Sequence, residues 1–182
     1  MSLILGVDPG LAHTGWGLID AGDMRYRLVD HGVITTQAAD TPGCRLKRLY
    51  DAVTALLSRY GPTEAGVENL YFAKNATSAI PVAQARGVVL LALEQAGVTA
   101  AEYTPQAIKQ AIVGQGRAEK SQVQELLRVL LGLAEIPTPD HASDALAAAV
   151  CHVHTRGFAE RAARAGRPGH GGRSGPGGQA RR

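Results

Sequence analysis

Asp8, Glu68, His141 and Asp144 stand far apart along 182 residues, and each occupies a place where a side chain can meet a ligand. Asp8 follows the apolar run LILGV and precedes Pro9-Gly10. A carboxylate so close to a core run must face an edge or suffer a heavy desolvation cost, and the turn leaves room beside it. Glu68 closes AGVE, although glutamate is a poor strand residue. His141 and Asp144 lie three apart, so a helix there would present both on one face. Asp140, adjacent to His141 and four residues from Asp144, has two readings, leaning toward that site or capping; it is assigned to the helix N-terminus, where a negative charge is favoured by ~0.3–1 kcal/mol. Singly, each acid also fits a plain turn or an exposed strand end. Together they suggest a cation site, because clustered carboxylates stay ionised only with positive charge between them. Oxygen-rich donors select Mg²⁺ or Mn²⁺. Two such ions ~4 Å apart activate water and stabilise the leaving oxygen of a phosphodiester.

The elements that must bring these residues together are legible in the hydrophobic pattern. LILGVD is a buried strand, TGWGLID its hairpin partner and MRYRLVDHGVITT a third strand. Leu46, Leu49, Val53, Leu56 and Leu57 share a helical face that Gly61-Pro62 closes. EAGVEN is a short strand. NATSAIPVAQARGVVLLALEQAG is a long helix with Asn75 or Thr77 as its cap, and VTAAEYTP a further strand. Three more helices follow: PQAIKQAIVG, AEKSQVQELLRVLLG and PDHASDALAAAVCHVHTRG. Ala142, Ala145, Ala147, Ala148 and Ala149 keep the last one slim enough to pack close to a sheet. Three meandering strands followed by alternating strands and helices predict an α/β fold, a mixed sheet with helices on both faces. Ligands in such sheets gather at the carboxyl ends of parallel strands. If the strands ending in Asp8 and Glu68 are neighbours, both carboxylates face one pocket.

Composition narrows the class further. Hydrophobic residues make up 45% and charged residues 19%, enough for a core and too few charges for wholesale disorder. No apolar run reaches the ~18 residues that span a bilayer, so no membrane role is expected. The first residues lack the basic region of a signal peptide. Cys44 and Cys151 form no CxxC, which fits a reducing, cytoplasmic setting without a disulfide or zinc. The net charge of +3 is uneven: seven Arg and one Glu from residue 156 onward leave residues 1–155 at −3. The expected division is a folded domain over 1–157 and an Arg/Gly-rich tail over 158–182, disordered for lack of apolar residues.

GVDPGLAHTGWG, VENLYFAKNATSAIPVAQARGVVLLA, YTPQAIKQAIVGQGRAEKSQVQ and PDHASDALAAAVCH together resemble the RuvC family of Holliday-junction resolvases, in order and with its spacing over residues 3–155. The resemblance implies an RNase H-like fold, with a five-stranded mixed β-sheet flanked by α-helices. It implies a homodimeric endonuclease that nicks opposing strands of four-way junction DNA and leaves 5′-phosphates. It also implies work beside a branch-migration helicase formed by RuvA and RuvB. The family's metal ligands match Asp8, Glu68, His141 and Asp144, with histidine replacing the commoner third acid. Imidazole is a softer, neutral donor, so Mn²⁺ should gain on Mg²⁺, and activity should fall as histidine protonates below pH ~6.5. Family basic residues match Lys109 and Lys120, expected to neutralise the scissile phosphate. Tyr71 matches the aromatic that meets bases at the junction centre, while Phe72 is expected to pack inward. Lys74, Asn75, Ser78 and Arg86 are expected along the DNA.

Three other readings compete. An actin-like ATPase shares a turn resembling DPGLAHTG but needs a second domain. A non-catalytic junction-binding protein would need no metal ligands, and an RNase H-like nuclease of other specificity would cut other substrates.

Overall fold

The computed structural model describes residues 2–22, 25–69 and 76–165, except for the side chains of 76–78 and 158–165. Strands β1 (Leu3–Asp8), β2 (His13–Gly22) and β3 (Arg25–Thr35) come first, then α1 (Pro42–Tyr60) and β4 (Glu64–Glu68). Helix α2 (Ala76–Gln95), β5 (Thr99–Tyr103), α3 (Pro105–Val113), α4 (Lys120–Leu130) and α5 (Asp140–Ala165) follow. The sheet order is β3-β2-β1-β4-β5. The first three strands pair antiparallel, while β1–β4 and β4–β5 pair parallel. The mixed five-stranded sheet expected from the sequence is therefore present, and the two acid-ending strands are neighbours.

Side chains alternate across the sheet and divide the core in two. Leu5, Val7, Leu18, Ala65 and Val67 face Leu49, Val53 and Leu57 of α1 and Ala85, Val89 and Leu93 of α2. Ile4 and Ile19 face the other way, toward α3, α4 and α5. Helix α1 starts where the Thr41 hydroxyl accepts from Cys44 N–H, with Pro42 in its first turn. It stops at Gly61, whose φ of 59° suits the left-handed cap. Thr104, Pro105 and Gly114 bound α3 in the same way.

The second face is ordered by glycine. Ile4, Gly6 and Asp8 of β1 point to one side, as do Glu64, Gly66 and Glu68 of β4. The register places Gly6 beside Gly66 on one flank and beside Gly17 of β2 on the other. Helix α5 lies in the trough this row leaves. A Cβ on Gly6 would sit 1.8 Å from the Ala145 carbonyl oxygen, and one on Gly66 2.5 Å from that of Ala148. Ala142, Ala145, Ala147, Ala148 and Ala149 are all buried, which confirms the slim helix on the sheet. The last helix is expected to close at Gly157, but it continues to Ala165. FAERAARA is rich in Ala, Arg and Glu, so one glycine does not end it. Among the described residues, no helix is long and apolar enough to cross a membrane.

Candidate metal centre and its flanking pockets

The site grows from the glycine row. Gly15 is the β2 partner of Asp8, and a Cβ there would lie 1.9 Å from the His141 carbonyl oxygen. The first turn of α5 is thereby held against the end of β1. His141 Nδ1 and Asp8 Oδ2 stand 2.8 Å apart. One donor atom from each of Asp8, His141 and Asp144 falls within 4.8 Å of the others. Glu68 ends the adjacent strand and lies outside this triad. It lines a pocket with Asp144, Lys109, Lys120, Pro105, Ile108, Val123 and Ala147. All four expected ligands thus meet at one end of the sheet, beside the two expected lysines.

Burial and mutual charge perturb the carboxyl groups here. Burial pushes the Asp8 carboxyl above its ordinary range, although the His141 hydrogen bond pulls the other way. Glu68 is pushed up to about 8, first by burial and then by the charges of Asp8 and Asp144. Lys120 and Lys109 offset only part of this. The Lys120 ammonium donates to Asp144 at 3.1 Å and pairs with Asp140 at 3.2 Å. Burial opposes its charge, yet these carboxylates raise its pKa overall. Lys120 opens α4, whose start is fixed by a reciprocal box between Glu119 and Gln122. Asp140 occupies the first turn of α5, as expected, and its side chain turns to Lys120 and Gln124.

The donor set fits divalent cations: carboxyl groups from two strands and a helix plus one imidazole. Metal uptake should expel the Glu68 proton. The neutral acid stabilises the metal-free fold fully below about 4.5, and that stabilisation is lost as pH rises toward about 8. Apparent affinity for Mg²⁺ or Mn²⁺ should therefore climb up to ~10-fold per pH unit across that interval. Calorimetry at pH 7 in buffers of different ionisation heat should find about one proton released per chain, and none in Glu68→Gln. Equal release from both proteins would refute this account of Glu68.

The other DNA-facing expectations divide. Arg86 forms an ion pair with Glu102 of β5, both side chains partly exposed. Tyr71, Phe72, Lys74 and Asn75 lie outside the described residues. Ser78 stands in the first turn of α2, with its side chain also outside them. Cys44 is exposed, Cys151 is buried, and both are free thiols.

Sequence reasoning passed over the support of the β1–β2 loop. The buried Thr14 hydroxyl donates to the Gly10 carbonyl at 2.6 Å. The Thr36 hydroxyl donates to the Leu11 carbonyl at 2.5 Å, and Arg45 Nε donates to Thr36 at 2.9 Å. The His13 ring stacks on His141 at 5.6 Å between centroids. A Thr inside a strand run and an Arg on the first turn of an amphipathic helix carry no distinctive pattern. Only their contacts reveal what they do.

Residues 4–152 match the family described as crossover junction endodeoxyribonuclease RuvC. A protein of that name from Treponema denticola is 52% identical over 151 residues, covering 83% of this chain and 85% of its own. Another from Rubrobacter xylanophilus is 53% identical over 150 residues, covering 82% and 84%. Among solved structures, Thermus thermophilus RuvC in complex with a Holliday junction substrate superposes with a TM-score of 0.80 at 32% identity. That match covers 87% of this chain and 96% of the other.

Proposed function

This chain belongs to the RuvC family of crossover junction endodeoxyribonucleases, and from that premise we propose that Asp8, Glu68, His141 and Asp144 cut the strands of a four-way DNA junction. The protein is a divalent-metal-dependent nuclease of the RNase H-like fold that resolves Holliday junctions. The observation that carries the residue assignment is the convergence of Asp8, His141 and Asp144 within 4.8 Å, with Glu68 on the neighbouring strand.

Asp8, Glu68, His141 and Asp144 hold two divalent ions in this reading. Such a pair supplies a nucleophilic water at neutral pH and Lewis-acid stabilisation of the phosphodiester. Asp144 lines the pocket beside Glu68, and Asp8 stands next to His141 at the end of β1. Glu68 would hold a cation only in its ionised form. Lys120, paired here with Asp144 and Asp140, would supply positive charge to the scissile phosphate, and Lys109 would add a second from α3. The imidazole of His141 favours Mn²⁺ over Mg²⁺ more than a fourth carboxylate would. The products carry 5′-phosphate ends. Residues 1–155 carry a net −3, so DNA follows a local basic strip rather than a basic body. Lys109 and Lys120 begin it, and Tyr71, Lys74, Asn75, Ser78 and Arg86 belong to it through the family resemblance.

The active unit in this reading is a homodimer, because two symmetric cuts need two sites. Helix α2 supports this: Ala85, Val89 and Leu93 are buried, while Ile80 and Leu91 on its outer side are 59% and 51% exposed. That is more apolar surface than one sheet face uses. RuvA and RuvB are the helicase partners in this reading, by resemblance alone.

A mobile four-way junction, a linear duplex and an RNA–DNA hybrid, each incubated with Mg²⁺ or Mn²⁺, test the function together. Paired nicks confined to the junction are the expected result. Preferential cutting of the hybrid would favour an RNase H-like nuclease of other specificity. Junction binding without nicks in either metal would leave a binding protein.

A further inference from the structure

Two pockets flank the ligand row, and only one is used by the reading above. The second is lined by Gly10, Leu11, Ala12, His13, Arg45, Pro81, Val82 and His141. His141 forms a wall shared with the metal centre, so the pocket continues the site on the side away from Lys109 and Lys120. We propose that it is a subsite for the nucleotide next to the scissile phosphate, with Arg45 contacting that nucleotide's own phosphate. This rests on the nuclease reading and adds a substrate contact to it.

Three features select this occupant. The floor is apolar: Leu11, Pro81 and Val82 offer a surface that a deoxyribose or base face can cover. The exposed His13 ring, stacked on His141, extends a flat wall from the metal centre into the pocket. Stacked rings of this kind accept a base without regard to its sequence. The third feature is the charge. Arg45 Nε donates to Thr36 Oγ1 at 2.9 Å, and among the described residues the guanidinium forms no ion pair. That bond fixes the guanidinium at the pocket while its terminal nitrogens keep their donors for an oxyanion. Continuity with the metal centre decides between ligands. A strand whose phosphate sits among Asp8, His141 and Asp144 must leave past His141 on one side or past Asp144 on the other. Past His141 it enters this pocket.

The test pairs protein and DNA changes. Junctions carrying one neutral methylphosphonate, at each of the positions flanking the cleavage point in turn, are titrated with metal-free protein. One flanking position should weaken wild-type binding by ~10-fold, as expected for a lost charge-assisted contact. In Arg45→Gln the same substitution should weaken binding less than ~2-fold. Arg45→Lys, which keeps the charge, should retain most of the penalty. Because Arg45 also braces Thr36, Val82→Trp gives an independent variant that fills the pocket. It should bind the intact junction several-fold more weakly and lose sensitivity to the same methylphosphonate. Equal penalties in wild type, Arg45→Gln and Val82→Trp at every position would overturn the subsite. If that occurs while wild type still nicks junctions, the nuclease reading survives and only the subsite falls. If wild type nicks none with Mg²⁺ or Mn²⁺, both fall.

Discussion

Asp8→Asn is expected to bind a four-way junction and leave it whole. The carboxamide matches the carboxylate in shape, and an amide can hydrogen-bond His141 Nδ1 across the 2.8 Å separation in either tautomer, through its oxygen or its NH₂. The fold and the first turn of α5 should therefore persist. What disappears is one negative charge from the centre of the ligand cluster. A neutral amide is a poor ligand for a hard divalent ion, so nicking should fall by at least about 10³-fold in Mg²⁺ or Mn²⁺. Binding should move the opposite way. Without metal, Asp8 repels the phosphate that must approach it, and its removal should tighten metal-free junction binding by a few-fold. A third readout comes from Glu68. Burial does most to lift Glu68 to about 8 and Asp8 is the leading charge after it, so in Asp8→Asn it should titrate at lower pH. Tighter binding, absent nicking and a lowered Glu68 titration would together assign Asp8 to the metal cluster. Retained nicking would remove it.

The acids of this site were legible in the sequence as a group. Singly, Asp8 after LILGV also fits a turn and Glu68 after AGV an exposed strand end; it is their combination with a spaced pair on one helix that points to a cation site. The helix spacing of His141 and Asp144 was equally plain. Their convergence was not in the pattern itself; it depended on β1 and β4 being neighbours, which the parallel register now shows. Lys120 illustrates the limit. As a lone lysine before SQVQ it looks like a solvated surface group, and only tertiary packing sets it between Asp140 and Asp144. Thr14, Thr36 and Arg45 escaped for the same reason, since hydrogen bonds to loop carbonyls leave no periodic trace. The sequence pattern carries the last helix only to Gly157, while the helix-forming residues after it extend α5 to Ala165. The glycines at 6, 15, 17 and 66 were visible but unused. Each interrupts an apolar strand, and a strand glycine often marks the close approach of another backbone.

Those glycines support the second large expectation. Gly6→Ala adds one methyl group, yet its Cβ would stand 1.8 Å from the Ala145 carbonyl oxygen and 2.8 Å from the Ala149 nitrogen. Both are backbone atoms of a helix, so no side-chain rotation relieves the contact. Helix α5 must lift from the sheet, or β1 must bend. Lifting it uncovers Leu146, Ala148, Ala149 and Val150, all fully buried here. A loss of roughly 3–5 kcal/mol is expected, equivalent to about 10 °C or more in melting temperature for a domain of this size. Ala145→Gly should not rescue it, because the obstacle is a carbonyl and not a methyl. Gly43→Ala supplies the contrast: nothing lies within 4 Å of a Cβ there, and the helix α1 backbone should gain slightly. The consequence for catalysis follows from geometry. His141 and Asp144 ride on α5 and Asp8 on β1, so any chain that folds with α5 displaced should separate the ligands and bind Mn²⁺ more weakly. Gly15→Ala puts that effect at the site itself, since its Cβ would meet the His141 carbonyl oxygen at 1.9 Å. Thermal melts and Mn²⁺ titrations of these variants decide the matter. A Gly6→Ala protein with unchanged melting temperature and unchanged Mn²⁺ affinity would show that the glycine row does not set the height of α5 above the sheet.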